Sequence, residues 1–214
     1  MANGIRAVIF DFEGTLVDFQ WRLAEAEEEL RHACAQQGHA TAGNYAELWN
    51  AAAEIAVAQG RLEELRRALF PIYDRWDADA LERWSLRPGA GQLLRQLAQA
   101  GVGTALASNC GRAAVTAALG GFGLDRWLSP VVSRNDVTFM KPRAEGLDRA
   151  LAQLNTPPGA ALFVGDSRAD VLAARAAGLR VAIILGGECA EADFAALPPD
   201  HFVSRLDEIV ALIG

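Results

Sequence analysis

Short apolar runs alternate with longer stretches of helical periodicity along most of this sequence. The first run, from Ile5 to Phe10, is rich in β-branched residues and ends abruptly at Asp11, as a buried strand that leads into a loop does. Similar runs follow at 102–107, 130–133, 160–164, 180–185 and, more weakly, 201–204, and helical stretches lie between them at 89–100, 112–119, 143–154 and 168–177. Strands that alternate with helices of this length predict an α/β fold, in which helices cover both faces of a parallel sheet.

Residues 19–84 interrupt this alternation because they contain no convincing strand. Apolar residues recur there at intervals of three and four, for example at Leu48, Ala52 and Ile55, which predicts helices. The expected separators between these helices are Gly38, Gly43, Gly60 and Pro71. The sequence therefore predicts a three-layer, Rossmann-like α/β core made of residues 1–18 and 85–214, with a small all-helical cap domain, residues 19–84, inserted after the first strand.

Composition and charge exclude several classes of protein. The 214 residues are 51% hydrophobic and 22% charged, which suits a folded domain rather than a disordered chain. The net charge of −7 has the wrong sign for a protein that grips nucleic-acid phosphates. No apolar stretch approaches the roughly 18 to 20 residues of a membrane-spanning helix, and the first apolar run is too short for a signal peptide. We expect a cytoplasmic protein that binds neither nucleic acid nor membranes.

Polar clusters follow four of the predicted strands. They are the segment 11–16, the pair Ser108-Asn109, the pair Lys141-Pro142 a little beyond the third strand, and the segment 165–170. Because the carboxyl ends of parallel strands lie at one edge of a sheet, we expect all four clusters to meet there.

The charges of these clusters do not balance. Four carboxylates, from Asp11, Glu13, Asp166 and Asp170, face a single ammonium group, that of Lys141. Like charges brought this close need a counter-charge. Oxygen-rich sites select hard cations, and Mg²⁺ is the natural one where phosphate also binds.

With Mg²⁺ present, the cluster suits phosphoryl transfer. Asp11, directly at the strand end, is the expected nucleophile, since a carboxylate can attack phosphorus in line and form an aspartyl-phosphate. Glu13 is the expected general acid and base. Lys141 and the metal would neutralise the transferring phosphoryl group, while Ser108 and Asn109 hold its oxygens.

These four motifs, in this order, resemble those of the haloacid dehalogenase-like superfamily, in particular its phosphoglycolate-phosphatase-like branch with a helical cap. The resemblance covers essentially the whole chain. It implies Asp11 as nucleophile and metal ligand, the backbone carbonyl of Glu13 as metal ligand and Thr15 as support for the loop. It further implies that Ser108 and Lys141 contact phosphate, and that Asp166 and Asp170 are direct or water-mediated metal ligands. The predicted phosphate-binding residues are therefore Thr15, Ser108, Asn109 and Lys141.

One position departs from the family pattern, because Glu13 stands where the second aspartate of the first motif is usual. The added methylene moves the carboxyl group by roughly 1.5 Å. Our hypothesis is that Glu13 still works as acid and base. The resulting prediction is an Mg²⁺-dependent phosphatase, monomeric or homodimeric, that acts on a small phosphorylated metabolite such as 2-phosphoglycolate. The alternatives are a phosphomutase and a binding or regulatory protein that has lost turnover.

Other conspicuous residues have simpler interpretations. We interpret Cys34, Cys110 and Cys189 as reduced packing residues, because they lie far apart and form no C-x-x-C pair. The segment Gly186-Gly187-Glu188 is interpreted as a plain turn rather than part of the site. Packing is also expected for Trp21, Trp49, Trp76 and Trp84, and helix-surface charge for Arg61, Arg66 and Arg67.

Overall fold

Six parallel strands form one sheet in the computed structural model, which describes residues 4–214. The strands are β1 (Ala7–Phe10), β2 (Gly103–Ala107), β3 (Val131–Val132), β4 (Ala161–Gly165), β5 (Arg180–Ile184) and β6 (His201–Val203). Their order is β3-β2-β1-β4-β5-β6, and Ala7 lies opposite Gly103 on one side and Ala161 on the other. The predicted parallel α/β sheet is confirmed.

Eight α-helices accompany the sheet within the described part of the chain. They are α1 (Leu23–Gln36), α2 (Tyr45–Ala58), α3 (Leu62–Leu81), α4 (Ala90–Gln99), α5 (Arg112–Phe122), α6 (Glu145–Gln153), α7 (Arg168–Ala176) and α8 (Ile209–Leu212). Side chains alternate across the buried strands, so that Val8 and Phe10 pack on one face with α4, α5 and α8. Ala7 and Ile9 pack on the other face with α6 and α7. The chain therefore forms three layers. None of the helices among residues 4–214 is long and apolar enough to cross a bilayer.

Helices α1, α2 and α3 occupy the segment between β1 and α4, which we call the helical insertion (residues 19–84). The glycine separators lie between its helices as predicted, but the prediction for Pro71 was wrong, because Pro71 lies inside α3. The proline is exposed, and the carbonyl that its missing N–H leaves free belongs to the exposed Arg67. Water can bond that carbonyl, so the helix continues through the proline.

Two paired linkers connect the insertion to the core. The amide of Asp18 donates to the carbonyl of Ser85 at 3.0 Å, and the amide of Arg87 donates to the carbonyl of Leu16 at 3.0 Å. Beyond the linkers, Phe12 and Trp84 meet edge to face with their ring centroids 5.0 Å apart. The insertion and one face of the sheet thus share a continuous hydrophobic cluster.

Candidate active site

The sheet brings the predicted motif residues to one edge. Asp11 directly follows β1, Ser108 follows β2 and Asp166 follows β4, and these three strands are neighbours. The chain order changes direction at β1, and ligands of open α/β sheets bind at such points beyond the carboxyl ends of the strands. The residues that line the cavity at this edge are Asp11, Glu13, Phe19, Tyr45, Ser108, Asn109, Cys110, Lys141, Ser167, Ala169 and Glu188.

Lys141 is the only lysine of the chain, and it lies buried at the centre of this cluster. Its Nζ atom is 2.6 Å from Oδ1 of Asp11 and 2.6 Å from Oδ1 of Asp170. Burial alone would lower the pKa of Lys141, but the charges of Asp11 and Asp170 outweigh it and raise that pKa. The ammonium group is therefore permanently charged at the edge of the sheet.

Three buried aspartates could hold a metal ion. Carboxylate oxygens of Asp11, Asp166 and Asp170 lie within 4.8 Å of one another. Burial raises the pKa of Asp11 to about 6, with Lys141 lowering it and Asp170 raising it. Burial, and then the charges of Asp170 and Asp11, raises the pKa of Asp166 well above its ordinary value. Three carboxylates against one ammonium leave an excess of negative charge, and this all-oxygen donor set fits Mg²⁺.

Asp170 is fixed by the first turn of α7. Its Oδ2 atom accepts hydrogen bonds from the amides of Asp166 and Ser167 at 3.0 Å each, and from the Ser167 hydroxyl at 2.8 Å. Its other oxygen bonds Lys141, so both oxygens are engaged. This arrangement supports the water-mediated form of the metal-ligand prediction for Asp170.

Asp166 lies in a narrow space between two loops. Its Oδ1 atom accepts from the Thr15 hydroxyl at 3.2 Å, and its Oδ2 atom accepts from the amide of Glu188 at 2.6 Å. A Cβ atom at Gly14 or Gly187 would overlap the Asp166 carboxylate, and Gly14 also has a φ of +80°. Thr15 is fully buried and does not line the cavity, so it supports the site through Asp166.

Glu13 reaches from the first motif to both ends of the helical insertion. Its Oε1 atom accepts from the amides of Gln20 at 2.8 Å and Trp21 at 2.7 Å, and from Nε1 of Trp84 at 3.0 Å. Its Oε2 atom has only the Cys110 thiol, at 3.8 Å, among the partners within residues 4–214. Burial raises the pKa of Glu13 to about 7, although the hydrogen bond from Trp84 lowers it. A group of this pKa suits proton transfer near neutral pH.

Asn109 holds the loop that carries the lysine. Its Oδ1 atom accepts from the amide of Lys141 at 2.9 Å, and its Nδ2 atom donates to the carbonyl of Lys141 at 3.2 Å. The hydroxyl of Ser108 accepts from the amide of Cys110 at 3.1 Å. Both side chains line the cavity, and their contact with phosphate stays a prediction.

Four cavity residues outside the predicted motifs were not assigned to the site from the sequence. One of them, Cys110, was interpreted as a packing residue, but it lines the cavity and its thiol donates to Glu13. Glu188, interpreted as part of a plain turn, lines the cavity although the residue as a whole is exposed. Desolvation, with the charges of Asp170 and Asp11, raises the pKa of Glu188 to about 7. Its position just beyond β5 was a usable signal, since the other motifs also follow strands. Phe19 and Tyr45 come from the insertion, where no such signal exists.

The sequence pattern of the haloacid dehalogenase-like hydrolases matches residues 5–178. The phosphoglycolate phosphatase of Yersinia pestis is 32% identical over 99% of this chain and 94% of its own length. A plasmid-encoded phosphoglycolate phosphatase of Cupriavidus necator is 30% identical over 97% of this chain and 92% of its own.

Solved structures share the whole fold. A protein from Haemophilus somnus, described as a predicted phosphoglycolate phosphatase, superposes with a TM-score of 0.69 at 22% identity, covering 100% of both chains. CbbY from Rhodobacter sphaeroides, solved in complex with phosphate, gives a TM-score of 0.64 at 22% identity, covering 98% of this chain and 99% of its own.

Proposed function

Because the chain belongs to the haloacid dehalogenase-like hydrolase family and is a phosphatase, we propose that it hydrolyses phosphate monoesters of small metabolites with Asp11 as the nucleophile. The observation that carries this proposal is the pairing of Asp11 with Lys141 at 2.6 Å, at the end of β1 and inside a cavity. A carboxylate beside a fixed ammonium group can meet an incoming phosphoryl group whose charge the ammonium neutralises. The names of the relatives make 2-phosphoglycolate the first substrate to test.

The reaction consists of two phosphoryl transfers, first from the substrate to Asp11 and then from Asp11 to water. An Asp11 oxygen attacks phosphorus while the ester oxygen leaves with its electron pair, which forms an aspartyl-phosphate and an alcohol. Glu13, protonated at the outset, gives its proton to the leaving oxygen. Glu13 then takes a proton from water, whose oxygen attacks phosphorus, and the products are inorganic phosphate and free Asp11.

The acidic cluster would hold Mg²⁺. Asp11, Asp166 and the backbone carbonyl of Glu13 are the proposed ligands, with Asp170 acting directly or through water. When bound, the ion supplies charge neutralisation for the phosphate oxygens. The residues themselves fix the positions: Thr15 and the amide of Glu188 orient Asp166, and Ser167 orients Asp170.

We also propose that the helical insertion is a cap that opens to admit substrate. The cavity measures about 30 Å³, which is room for about two water molecules, whereas sites for small molecules measure roughly 300 to 1,000 Å³. The two paired linkers at 16–18 and 85–87 are the natural place for the movement. The closed arrangement described here would exclude bulk water during the first transfer.

The placement of Glu13 supports turnover over a protein that only binds. The longer side chain reaches donors at both ends of the insertion with one oxygen, and the residue lines the cavity. The other oxygen has only the weak contact with the Cys110 thiol at 3.8 Å, so it is available for the proton transfers that the acid role and the base role need.

The experiment that tests this function measures phosphate release from 2-phosphoglycolate, other phosphorylated metabolites and p-nitrophenyl phosphate, with Mg²⁺ and with EDTA. We expect metal-dependent release that falls by about a thousandfold or more in Asp11→Asn, because the nucleophile is lost. The same substitution at Asp207, a surface residue paired with Arg205, is the matched control and should leave the rate unchanged. Undiminished release in Asp11→Asn, or no release from folded wild-type protein that binds Mg²⁺, would contradict the proposal.

A further inference from the structure

The helical insertion contributes two uncharged side chains to the cavity, Phe19 and Tyr45. Tyr45 is the first residue of α2 and is held on two sides. The ring of Trp21 lies 4.8 Å away between centroids, and the hydroxyl of Tyr73 donates to the Tyr45 carbonyl at 2.7 Å. The side of the cavity that belongs to the insertion is therefore aromatic and rigidly placed.

The hydroxyl of Tyr45 adds a hydrogen-bond donor to this surface. It accepts from Nδ2 of Asn109 at 3.3 Å. Burial, with the negative charge of Glu188, raises the pKa of Tyr45 well above 10, so the hydroxyl keeps its proton. Within residues 4–214 that proton has no acceptor, and it remains free for an oxygen atom of a substrate.

Positive charge is scarce around the cavity. Lys141 is the one cation among the cavity residues that the structure describes, and its two short contacts go to Asp11 and Asp170. The seven arginines of the insertion lie outside the cavity: Arg22 and Arg83 pair with Asp79, Arg31 with Glu27, Arg66 with Glu63, Arg75 with Glu29, Arg61 bonds Gln59, and Arg67 is exposed. The interpretation as helix-surface charges fits Arg61 and Arg67, whereas Arg66 is half-buried and donates to the carbonyl of Val137 at 3.0 Å. No cation of the insertion is available to an anionic leaving group.

The carboxylates around the cavity oppose a further negative charge. Glu188 lines the cavity in addition to the nucleophile Asp11, whereas Glu13 enters the reaction in its protonated form. A substrate with a carboxylate on its alcohol part would bury that carboxylate near these acids without a partner of opposite charge. Burying an unpaired charge beside like charges is costly.

We infer that this pocket selects phosphate esters of small, uncharged, hydroxyl-bearing alcohols and discriminates against leaving groups with a second negative charge. The inference rests on the proposed phosphatase function and narrows its substrate class. It departs from what the relatives' names suggest, since the glycolate part of 2-phosphoglycolate is a carboxylate. Tyr45 and Glu188 are the specificity-determining residues.

The test compares kcat/KM for 2-phosphoglycolate and its primary amide, which has the same shape without the second charge. We expect the amide to be favoured by about tenfold or more in wild type, because the acid meets repulsion and loses hydration without compensation. Equal values, or a preference for the acid, would overturn the inference while leaving the phosphatase function intact. Absence of Asp11-dependent release from both esters would overturn the function and the inference together.

The charge of Glu188 is tested by Glu188→Gln, with Glu28→Gln on the exposed side of α1 as the matched control. Because only ratios are compared, a general loss of rate does not affect the result. The preference for the amide should shrink severalfold in Glu188→Gln and stay unchanged in Glu28→Gln. An unchanged ratio in Glu188→Gln would overturn the role of Glu188.

The hydroxyl of Tyr45 is tested by Tyr45→Phe, which keeps the ring. We compare 2-hydroxyethyl phosphate with ethyl phosphate, which lacks the distal hydroxyl. The variant should lose about five- to tenfold in kcat/KM for the first ester and little for the second, because one hydrogen bond is removed. Equal losses on both esters would show a merely structural role and overturn the assignment.

Discussion

Two groups of buried charged side chains lie near the junction of insertion and core, and they differ in their balance. At the edge of the sheet, Asp11, Asp166 and Asp170 share the single ammonium group of Lys141. Some way along the same junction, the buried side chains of Arg134 and Asp77 form a balanced pair, with 1% and 2% of their side chains exposed and their nearest atoms 2.8 Å apart. Arg134 also contacts the half-exposed Asp74, whose carboxylate faces solvent in part. Among the buried side chains, the first group has an excess of negative charge and the second has none.

The balanced pair joins α3 to the segment that follows β3. Besides Asp74, the other partners of this contact are backbone groups: Arg134 donates to the carbonyl of Asn109 at 3.0 Å, and the amide of Gly111 donates to Asp77 at 2.8 Å. The guanidinium also lies 5.0 Å from the ring centroid of Tyr73. Each buried charge there has a neutralising partner within the protein. The comparison teaches that an excess of buried charge marks a ligand-binding site, whereas a buried charge with a protein partner marks a structural contact.

The largest expected effect is that of removing Arg134, which tests whether the buried pair is a structural contact. In Arg134→Met, Asp77 would stay buried without its cation, and we expect the free energy of unfolding to fall by about 3 to 5 kcal/mol. Urea denaturation of the metal-free protein measures this.

The matched control is Arg143→Met, which removes an arginine paired with Glu54 across the insertion and core at the surface. We expect this variant to lose less than about 1 kcal/mol, since exposed ion pairs contribute little. Similar losses in the two variants would mean that the buried pair has no special structural role.

The excess charge at the edge of the sheet is tested by metal binding. Mg²⁺ at a hundredfold excess over its Kd should stabilise the folded wild-type protein by about 2 to 3 kcal/mol, because only the folded chain gathers the carboxylates. In Asp166→Asn this stabilisation should largely disappear, while Asp74→Asn, which changes a half-exposed partner of Arg134, should retain it. Thermal denaturation with Mg²⁺ and with EDTA gives the shift. Equal stabilisation of the wild type and Asp166→Asn would remove Asp166 from the site.

Sequence alone could predict the charged edge but not the balanced pair, for a physical reason. Asp11, Ser108 and Asp166 follow buried apolar runs, and parallel strands bring such positions together whatever the helices do. Arg134 and Asp77 lie on different elements, and their contact depends on how α3 packs against the core. No local pattern encodes that packing.

The same distinction separates the cavity residues that were missed. Glu188 follows β5, as the other motif residues follow their strands. The preceding Gly186 and Gly187 nevertheless favoured a turn. Tyr45 depends on the docking of α2 and had no signal. The fold class was confirmed, whereas the boundaries of the cap at 19 and 84 stay a prediction, which the paired linkers at 16–18 and 85–87 support.

A third prediction concerns Glu13, which belongs to the charged edge and also contacts both ends of the helical insertion. In Glu13→Asp the carboxyl withdraws by roughly 1.5 Å, so hydrogen bonds from Trp21 and Trp84 weaken. We expect the free energy of unfolding to fall by about 1 to 2 kcal/mol, and kcat not to rise, although aspartate is usual at this position in the family. Urea denaturation and phosphate release measure the two effects. A faster Glu13→Asp enzyme would mean that the glutamate handicaps catalysis.

The smallest effect comes from a carboxylate outside both groups, Asp200. Its Oδ2 atom accepts from the amide of Val181 at 2.7 Å and pairs with Arg175 at 2.9 Å. Burial alone would raise the pKa of Asp200, but the Val181 hydrogen bond and then Arg175 outweigh it and lower that pKa below 3.8. A carboxyl whose pKa is lower in the folded state contributes stability above its unfolded pKa and loses it as the pH falls through the folded value.

Asp200→Asn should therefore reduce the free energy of unfolding by about 1 kcal/mol at pH 7. The difference from wild type should persist down to about pH 4 and shrink below it, since both states of the wild type then bind the proton. Urea midpoints of the two proteins between pH 3 and 7 measure this. If the difference instead grew as the pH fell, the pKa of Asp200 would be raised in the folded protein, as the pKa values of Asp11 and Asp166 are. Val181 and Arg175 would then not stabilise the charged form of the Asp200 carboxyl.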